Sequence, residues 1–184
     1  MILKPTDAVV VSLFDRTTNM ARPWSEAGWL CYCVDIQHPP GETREGNIIK
    51  VGADIMRWLP PRSRVKITFA FSPCTNLSVS GARWFREKGL GALCEGLNLF
   101  ARAVELAEYI GAPYMLENPV SVVSSHYRKP DHSFDPCDYA GYLTGAEEKA
   151  AEAYTKKTCL WCSEDFVMPA KRSVPPTLGS KMYK

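Results

Sequence analysis

Apolar runs with β-branched character alternate along the chain with polar loops and one long amphipathic stretch. Ala8 to Phe14 (Ala-Val-Val-Val-Ser-Leu-Phe) predicts a buried strand, closed by the polar loop Asp15 to Asn19. Met20 to Ala27 reads as a short helix with Gly28 as its C-terminal stop. Leu30 to Val34 predicts a second strand, ending at Asp35, and Asn47 to Val51 a third, followed by Ala53-Asp54 and a helical turn to Leu59. Pro60-Pro61 ends that turn, because proline cannot continue a helix. Val65 to Phe71 predicts a fourth strand. From Glu87 to Ile110, Leu90, Leu93, Cys94, Leu97, Phe100, Ala101, Val104 and Ala107 recur every three or four residues, the period of one helix face. Gly111 ends that helix and Pro113 to Leu116 predicts a fifth strand. Residues 125–155 read as loop-rich with a helix over Gly145 to Ala153, and Thr158 to Trp161 as a late strand. A Pro-rich basic tail from Pro169 reads as irregular.

Strands alternating with helices imply parallel βαβ units, and so an open α/β sheet. Such sheets bind ligands beyond the carboxyl ends of their strands. Asp15, Asp35, Asp54, Cys74 and Glu117 all stand at or just past a predicted strand end, so the topology carries five reactive side chains to one edge.

Composition sharpens this little. At 184 residues with 46% hydrophobic and 23% charged positions, the chain falls in the ordinary globular class and has enough residues to bury a core. A single domain over 1–168 with a tail over 169–184 is the expected organisation. The net charge of +2 permits a polyanionic partner without demanding one. No apolar run is long enough to span a bilayer. The first residues, Met-Ile-Leu-Lys-Pro-Thr-Asp, lack a signal peptide's apolar segment. Seven cysteines are an odd number, which argues for reduced thiols and a cytoplasmic protein.

The most informative stretch is Phe-Ser-Pro-Cys-Thr-Asn-Leu-Ser-Val-Ser-Gly, residues 71–81. Alone, Cys74 would pass as a small buried hydrophobe. Just past a buried strand, after Pro73 and before small polar residues, it is placed like a nucleophile. Leu116-Glu117-Asn118-Pro119 sets a carboxylate at the end of another apolar strand, where a buried acid needs a partner. Cys159 and Cys162 form a Cys-x-x-Cys pair, but without a second close pair they do not make a four-ligand zinc site, and no metal is expected. Cys31 and Cys33 share one strand face and read as packing.

The Pro-Cys loop with the Glu-Asn-Pro turn resembles the cytosine-C5 methyltransferase family over roughly residues 8–162. Phe14 and Ala27-Gly28-Trp29 occupy positions of its first motif, and Tyr154 to Trp161 stands where the family has a basic strand. The resemblance implies a Rossmann-like methyltransferase fold, mostly parallel, with S-adenosylmethionine as cofactor. It implies Cys74 as nucleophile, Glu117 as the group holding the base, and Lys156 and Lys157 as the basic positions. Asp35 with Ile36 would face the ribose, Asp54 with Ile55 the adenine, and Phe14 and Pro73 would line the same site. Ser72, Asn76, Ser78, Arg83, Asn118 and Pro119 would contact substrate. Arg16, Thr18 and Asn19 replace the three glycines of the first motif, so Asp15, Thr17, Thr18 and Asn19 would meet the cofactor through side-chain hydrogen bonds. The family's target-recognition region and late returning helix have no counterpart. The resemblance is thus to a compact, phage-type member acting on DNA in a host cytoplasm, with a second copy or a partner subunit able to supply recognition. Two alternatives stay open: modification of a free or single-stranded cytosine nucleotide, and a non-catalytic binding module on a degenerate fold.

Overall fold

The computed structural model describes residues 8–61 and 64–181. The N-terminal residues read for a leader, and the end of the tail beyond 181, lie outside the described residues. The β-branched runs form the sheet's centre: β1 (Val9–Leu13), β2 (Leu30–Val34), β4 (Ile48–Gly52), β5 (Val65–Phe71) and β6 (Tyr114–Pro119). All five are parallel to one another. The full order is β3-β4-β2-β1-β5-β6-β8-β7, with β3 (Gly41–Glu45), β7 (His132–Phe134) and β8 (Thr158–Cys162). From β1 the chain winds outward one way through β2 and β4, then crosses to β5 and winds the other way. The crevice at that reversal is where doubly wound sheets bind ligands. This mostly parallel sheet with flanking helices is the Rossmann-like arrangement expected.

Two departures carry consequences. β3 was not anticipated: it is exposed at every position and pairs antiparallel with β4 as an edge strand, so it has no apolar run to reveal it. β6 runs on through Glu117-Asn118-Pro119 rather than stopping at Leu116, because β8 pairs with it antiparallel as far as Pro119–Thr158. The residues after Asp54 make the single helical turn expected, with the Trp58 N–H donating to the Asp54 carbonyl at 2.9 Å.

The helices α1 (Arg22–Glu26), α2 (Phe85–Ile110), α3 (Val123–His126) and α4 (Ala146–Ala151) cover the sheet unevenly. α2 packs one face: Phe100, Ala103, Leu106 and Ala107 join Val11, Leu13, Val34, Leu116 and Trp161. The other face holds Val10, Cys31, Cys33, Phe69, Met115, Leu160 and Cys162, covered by Trp24 and Trp29 among others. The buried stripe of α2 differs from the sequence reading. Leu90, Cys94 and Ala101 are exposed, and Gly96, Ala103 and Leu106 are buried. Gly89, at φ 75°, breaks the helix near its start, so the residues before it do not share a helical phase with those after it. Among the described residues, no helix is long and apolar enough to cross a membrane.

Candidate active site

Two adjoining hollows lie along the carboxyl edge of the sheet. The larger, about 800 Å³, spans the ends of β1, β2, β4 and β5 and is closed by the first turns of α2. Phe14, Asp35, Ile36, Asp54, Ile55 and Pro73 all line it. Asp35 is buried, and its Oδ1 accepts the Gln37 N–H at 2.8 Å. Asp54 is exposed, and its Oδ1 accepts the Met56 N–H at 3.0 Å. Each turn orients one carboxylate oxygen and leaves the other with no protein donor among the described residues. Ile36, 72% exposed beside the buried Ile55, gives the hollow an apolar wall.

The loop that replaces the family's glycines behaves differently. Asp15 is buried, accepting Ser12 Oγ at 2.8 Å and Thr17 Oγ1 at 3.4 Å. Thr17 Oγ1 in turn accepts the Asn19 N–H at 3.3 Å, and His38 Nε2 donates to the Asp15 carbonyl at 3.2 Å. These groups satisfy one another, and of residues 15–19 only Arg16 lines the hollow. The backbone still adopts the geometry glycine favours: Phe14 has φ 58° and Thr18, buried, φ 60°. A β-branched residue held there stores about 1–3 kcal/mol of strain. The Asp15 carboxylate faces the interior, where burial first, and then Asp15, push the Cys31 thiol up to about 11.

The second hollow, about 320 Å³, holds Cys74 together with Ser78, Trp84, Lys88, Pro119, Lys156 and Lys181. Pro73 lines one hollow and Cys74 the other, so the two meet at that peptide bond. Cys74 is half-buried and follows β5; Glu117 is half-buried on β6, opposite Phe71 of β5. Burial pushes the Cys74 thiol up, the Glu117 carboxylate pushes it further, and Lys156 opposes both. Burial likewise raises the Glu117 carboxyl, again opposed by Lys156. Lys156 reaches this edge because β8 runs antiparallel to β6, so the residues just before β8 arrive beside the residues ending β6. Lys157 acts instead on Cys159, where it partly offsets the effect of burial, and does not line the hollow.

The Cys74 loop is anchored on both sides. The Cys74 carbonyl accepts the N–H groups of Leu77 and Ser78, both at 2.9 Å. Val79 N–H donates to the Val120 carbonyl and Val122 N–H to the Leu77 carbonyl, each at 3.0 Å, tying the loop to the chain after Pro119. Gly96 of α2 makes room for Leu77, whose Cδ2 would lie 2.9 Å from a Cβ there. Asn118 is fully buried, and its Nδ2 donates to the Ser72 carbonyl at 3.2 Å and to Ser72 Oγ at 3.3 Å. Both residues read as substrate contacts therefore join β5 to β6 instead. Asn76 lies by Gly89 in a separate hollow, and Arg83 stacks on Trp84.

Residues outside the expected site set complete it: Cys94, Glu95 and Asn98 of α2 in the first hollow, and Trp84, Lys88 and Lys181 in the second. None stands in a motif; only the packing of α2 and the tail brings them in. Cys159 and Cys162 belong to opposite cores of the sheet, so the pair cannot close on one ion. Among the described residues no group of three or more His, Cys, Asp or Glu could hold a metal.

The chain matches no family model and no curated protein. Among solved structures it is similar to the CcbJ methyltransferase from Streptomyces caelestis, at 15% identity over 75% of this chain and 47% of that one, with a TM-score of 0.36. It is also similar to the glycopeptide N-methyltransferase MtfA, at 13% identity over 83% of this chain and 64% of that one, with a TM-score of 0.35. The chain thus spans between about half and two thirds of the proteins it is similar to. Similarity at that level carries no argument about chemistry, which rests on the residues themselves.

Proposed function

We propose that this chain is an S-adenosylmethionine-dependent methyltransferase that methylates C5 of cytosine, in DNA. The observation that carries the reading is the meeting of Cys74, Glu117 and Lys156 from three separate segments beside the Asp35–Asp54 hollow. The larger hollow suits the cofactor. Its volume is in the range of small-molecule sites. Asp35 has a free carboxylate oxygen for the ribose hydroxyls, Asp54 one for the adenine amine, and Ile36 and Ile55 offer an apolar wall for the ring. When bound, S-adenosylmethionine supplies an electrophilic methyl group on a sulfonium.

The chain's own groups supply the activation. Cytosine C5 is a poor nucleophile until a thiolate adds to C6. Cys74 makes that S–C6 bond after losing its proton to solvent, and Lys156 favours the thiolate that burial and Glu117 disfavour. One Glu117 carboxyl oxygen accepts from the exocyclic amine; the other stands by N3, and the burial that raises this carboxyl favours its sharing a proton with N3 as charge develops on the ring. That addition leaves an electron pair on C5, the carbon that would accept the methyl group the cofactor supplies as its sulfonium becomes a neutral thioether. C5 finally loses its proton to solvent, the Cys74 sulfur leaves C6 and the N3 proton returns to Glu117, restoring the ring.

The test is nucleoside mass spectrometry after incubation with S-adenosylmethionine and cytosine-containing DNA, expecting 5-methylcytosine. A 5-fluorocytosine substrate should trap a covalent adduct on Cys74, since fluorine cannot leave as a proton does, and Cys74→Ser should form none. Unchanged methylation by Cys74→Ser, or an adduct on another cysteine, would overturn the assignment.

A further inference from the structure

Lysines reach the Cys74 hollow from three separate segments: Lys88 from the start of α2, Lys156 from the approach to β8, and Lys181 from the tail. The tail is held in place by its backbone. Leu178 N–H donates to the Ala153 carbonyl, Thr155 N–H to the Gly179 carbonyl and Lys181 N–H to the Thr155 carbonyl, each at 2.9 Å. The Lys181 ammonium lies 3.5 Å from the centre of the Tyr154 ring, a cation–π contact that keeps its charge at the rim. Lys88 donates to the Thr75 carbonyl at 2.6 Å. The three lysines make its rim positive on three sides, while the Glu117 carboxylate acts on Cys74 from β6 without lining the hollow. A rim of that kind suits phosphates flanking a base.

Trp84 adds a different chemistry. It is 47% exposed, lines the Cys74 hollow, and also lines a neighbouring hollow of about 270 Å³ with Glu87 and Lys88. The Arg83 guanidinium carbon lies 5.1 Å from its ring centre. An exposed indole with open space beside a base pocket is a stacking plate. In a duplex, the bases next to the target keep their faces covered by stacking, whereas an unpaired strand can turn one onto the indole.

We infer that the substrate is an unpaired stretch of polynucleotide, and that the C-terminal tail forms part of its seat. The target cytosine enters the Cys74 hollow, an adjacent base stacks on Trp84, and the phosphates between them meet Lys88, Lys156 and Lys181. The identity of the target base rests on the methyltransferase reading; the polyanion and the stacking plate do not.

Fluorescence anisotropy of the full chain, with S-adenosylhomocysteine present, tests this using a labelled single strand with one central cytosine and the same strand in duplex. The single strand should bind about tenfold tighter or more, because the duplex must first be unstacked. Its log–log salt slope should be about 2 for three phosphates, and Lys181→Ala should lower it by about 0.7. Trp84→Ala should weaken binding about fivefold or more, while Trp84→Phe should retain most of it. A 5-iodouracil placed beside the cytosine should photocrosslink to Trp84. Duplex binding equal to or tighter than single-strand binding, a flat salt dependence, Trp84→Ala and Lys181→Ala both matching wild type, or a crosslink mapped elsewhere would overturn the inference. Nucleoside mass spectrometry on the same strand separates the two readings. Binding as expected with no methylated product sinks the methyltransferase reading and leaves the seat standing; methylation without this binding pattern sinks the seat alone.

Discussion

Asp35 offers the most direct test of the cofactor reading, because its two carboxylate oxygens have separate tasks. Oδ1 is engaged by the Gln37 N–H at 2.8 Å, and the other oxygen, on a side chain that lines the larger hollow, has no protein donor among the described residues. Replacing Asp35 by Ala removes both. A hydrogen bond to a charged group contributes about 1.5–3 kcal/mol, so losing the ribose contact should weaken S-adenosylmethionine binding roughly 10- to 150-fold. The lost turn bond costs about 1 kcal/mol, which in a chain of this size lowers Tm by about 2–4 °C. Asp35→Asn separates the effects. The amide oxygen still accepts from Gln37, so Tm should stay near wild type, while the cofactor loses the charge and gains an NH2 where it needs an acceptor. Isothermal titration calorimetry reads the affinities and thermal unfolding reads the stabilities. If wild type binds the cofactor and both variants bind it within twofold, Asp35 does not hold the ribose. If wild type shows no binding, the cofactor assignment falls altogether.

Two further outcomes follow from the electrostatics and the packing. Because burial and Glu117 both raise the Cys74 thiol, its alkylation by iodoacetamide should be slow near neutral pH and climb through a pH above the ordinary thiol value. Glu117→Gln removes one of those causes and should speed alkylation at pH 8, even as it abolishes methyl transfer, while Lys156→Met should slow it. Mass-spectrometric rates at Cys74 decide this, and a slower Glu117→Gln would refute the coupling. A Cβ at Gly52 would overlap the Pro39 carbonyl oxygen and stand 2.6 Å from that of His38. Gly52→Ala should therefore cost about 1–3 kcal/mol or more, lowering Tm by roughly 2–4 °C per kcal/mol. It should also loosen the Asp35–Pro40 turn at the cofactor hollow, and an unchanged Tm would show that this turn yields freely.

The central strands were legible in the chain because burial on both faces demands mostly apolar runs, which β1, β2 and β5 carry, β1 with three successive valines. Their alternation with helices was enough to place Asp35, Asp54, Cys74 and Glu117 along one edge, since parallel winding leaves every carboxyl end on the same side. The local sequence also held the motif chemistry of Pro73-Cys74 and Glu117-Asn118. What it could not hold was anything set by the direction of a strand or the path of a loop. Lys156 and Lys157 are adjacent in sequence, yet Lys156 lines the Cys74 hollow while Lys157 acts on Cys159, a difference set by the path of the chain into β8. Asn118 and Ser72 look like substrate contacts in a motif and prove to be a buried tie between strands. Trp84, Lys88 and Lys181 gather around Cys74 from segments as far apart as residues 84 and 181. Such a meeting depends on the break at Gly89 and on backbone hydrogen bonds between the tail and residues 153–155. Side-chain periodicity reports burial. It carries no information about which distant segments share a surface, so those residues join the site only through the tertiary fold.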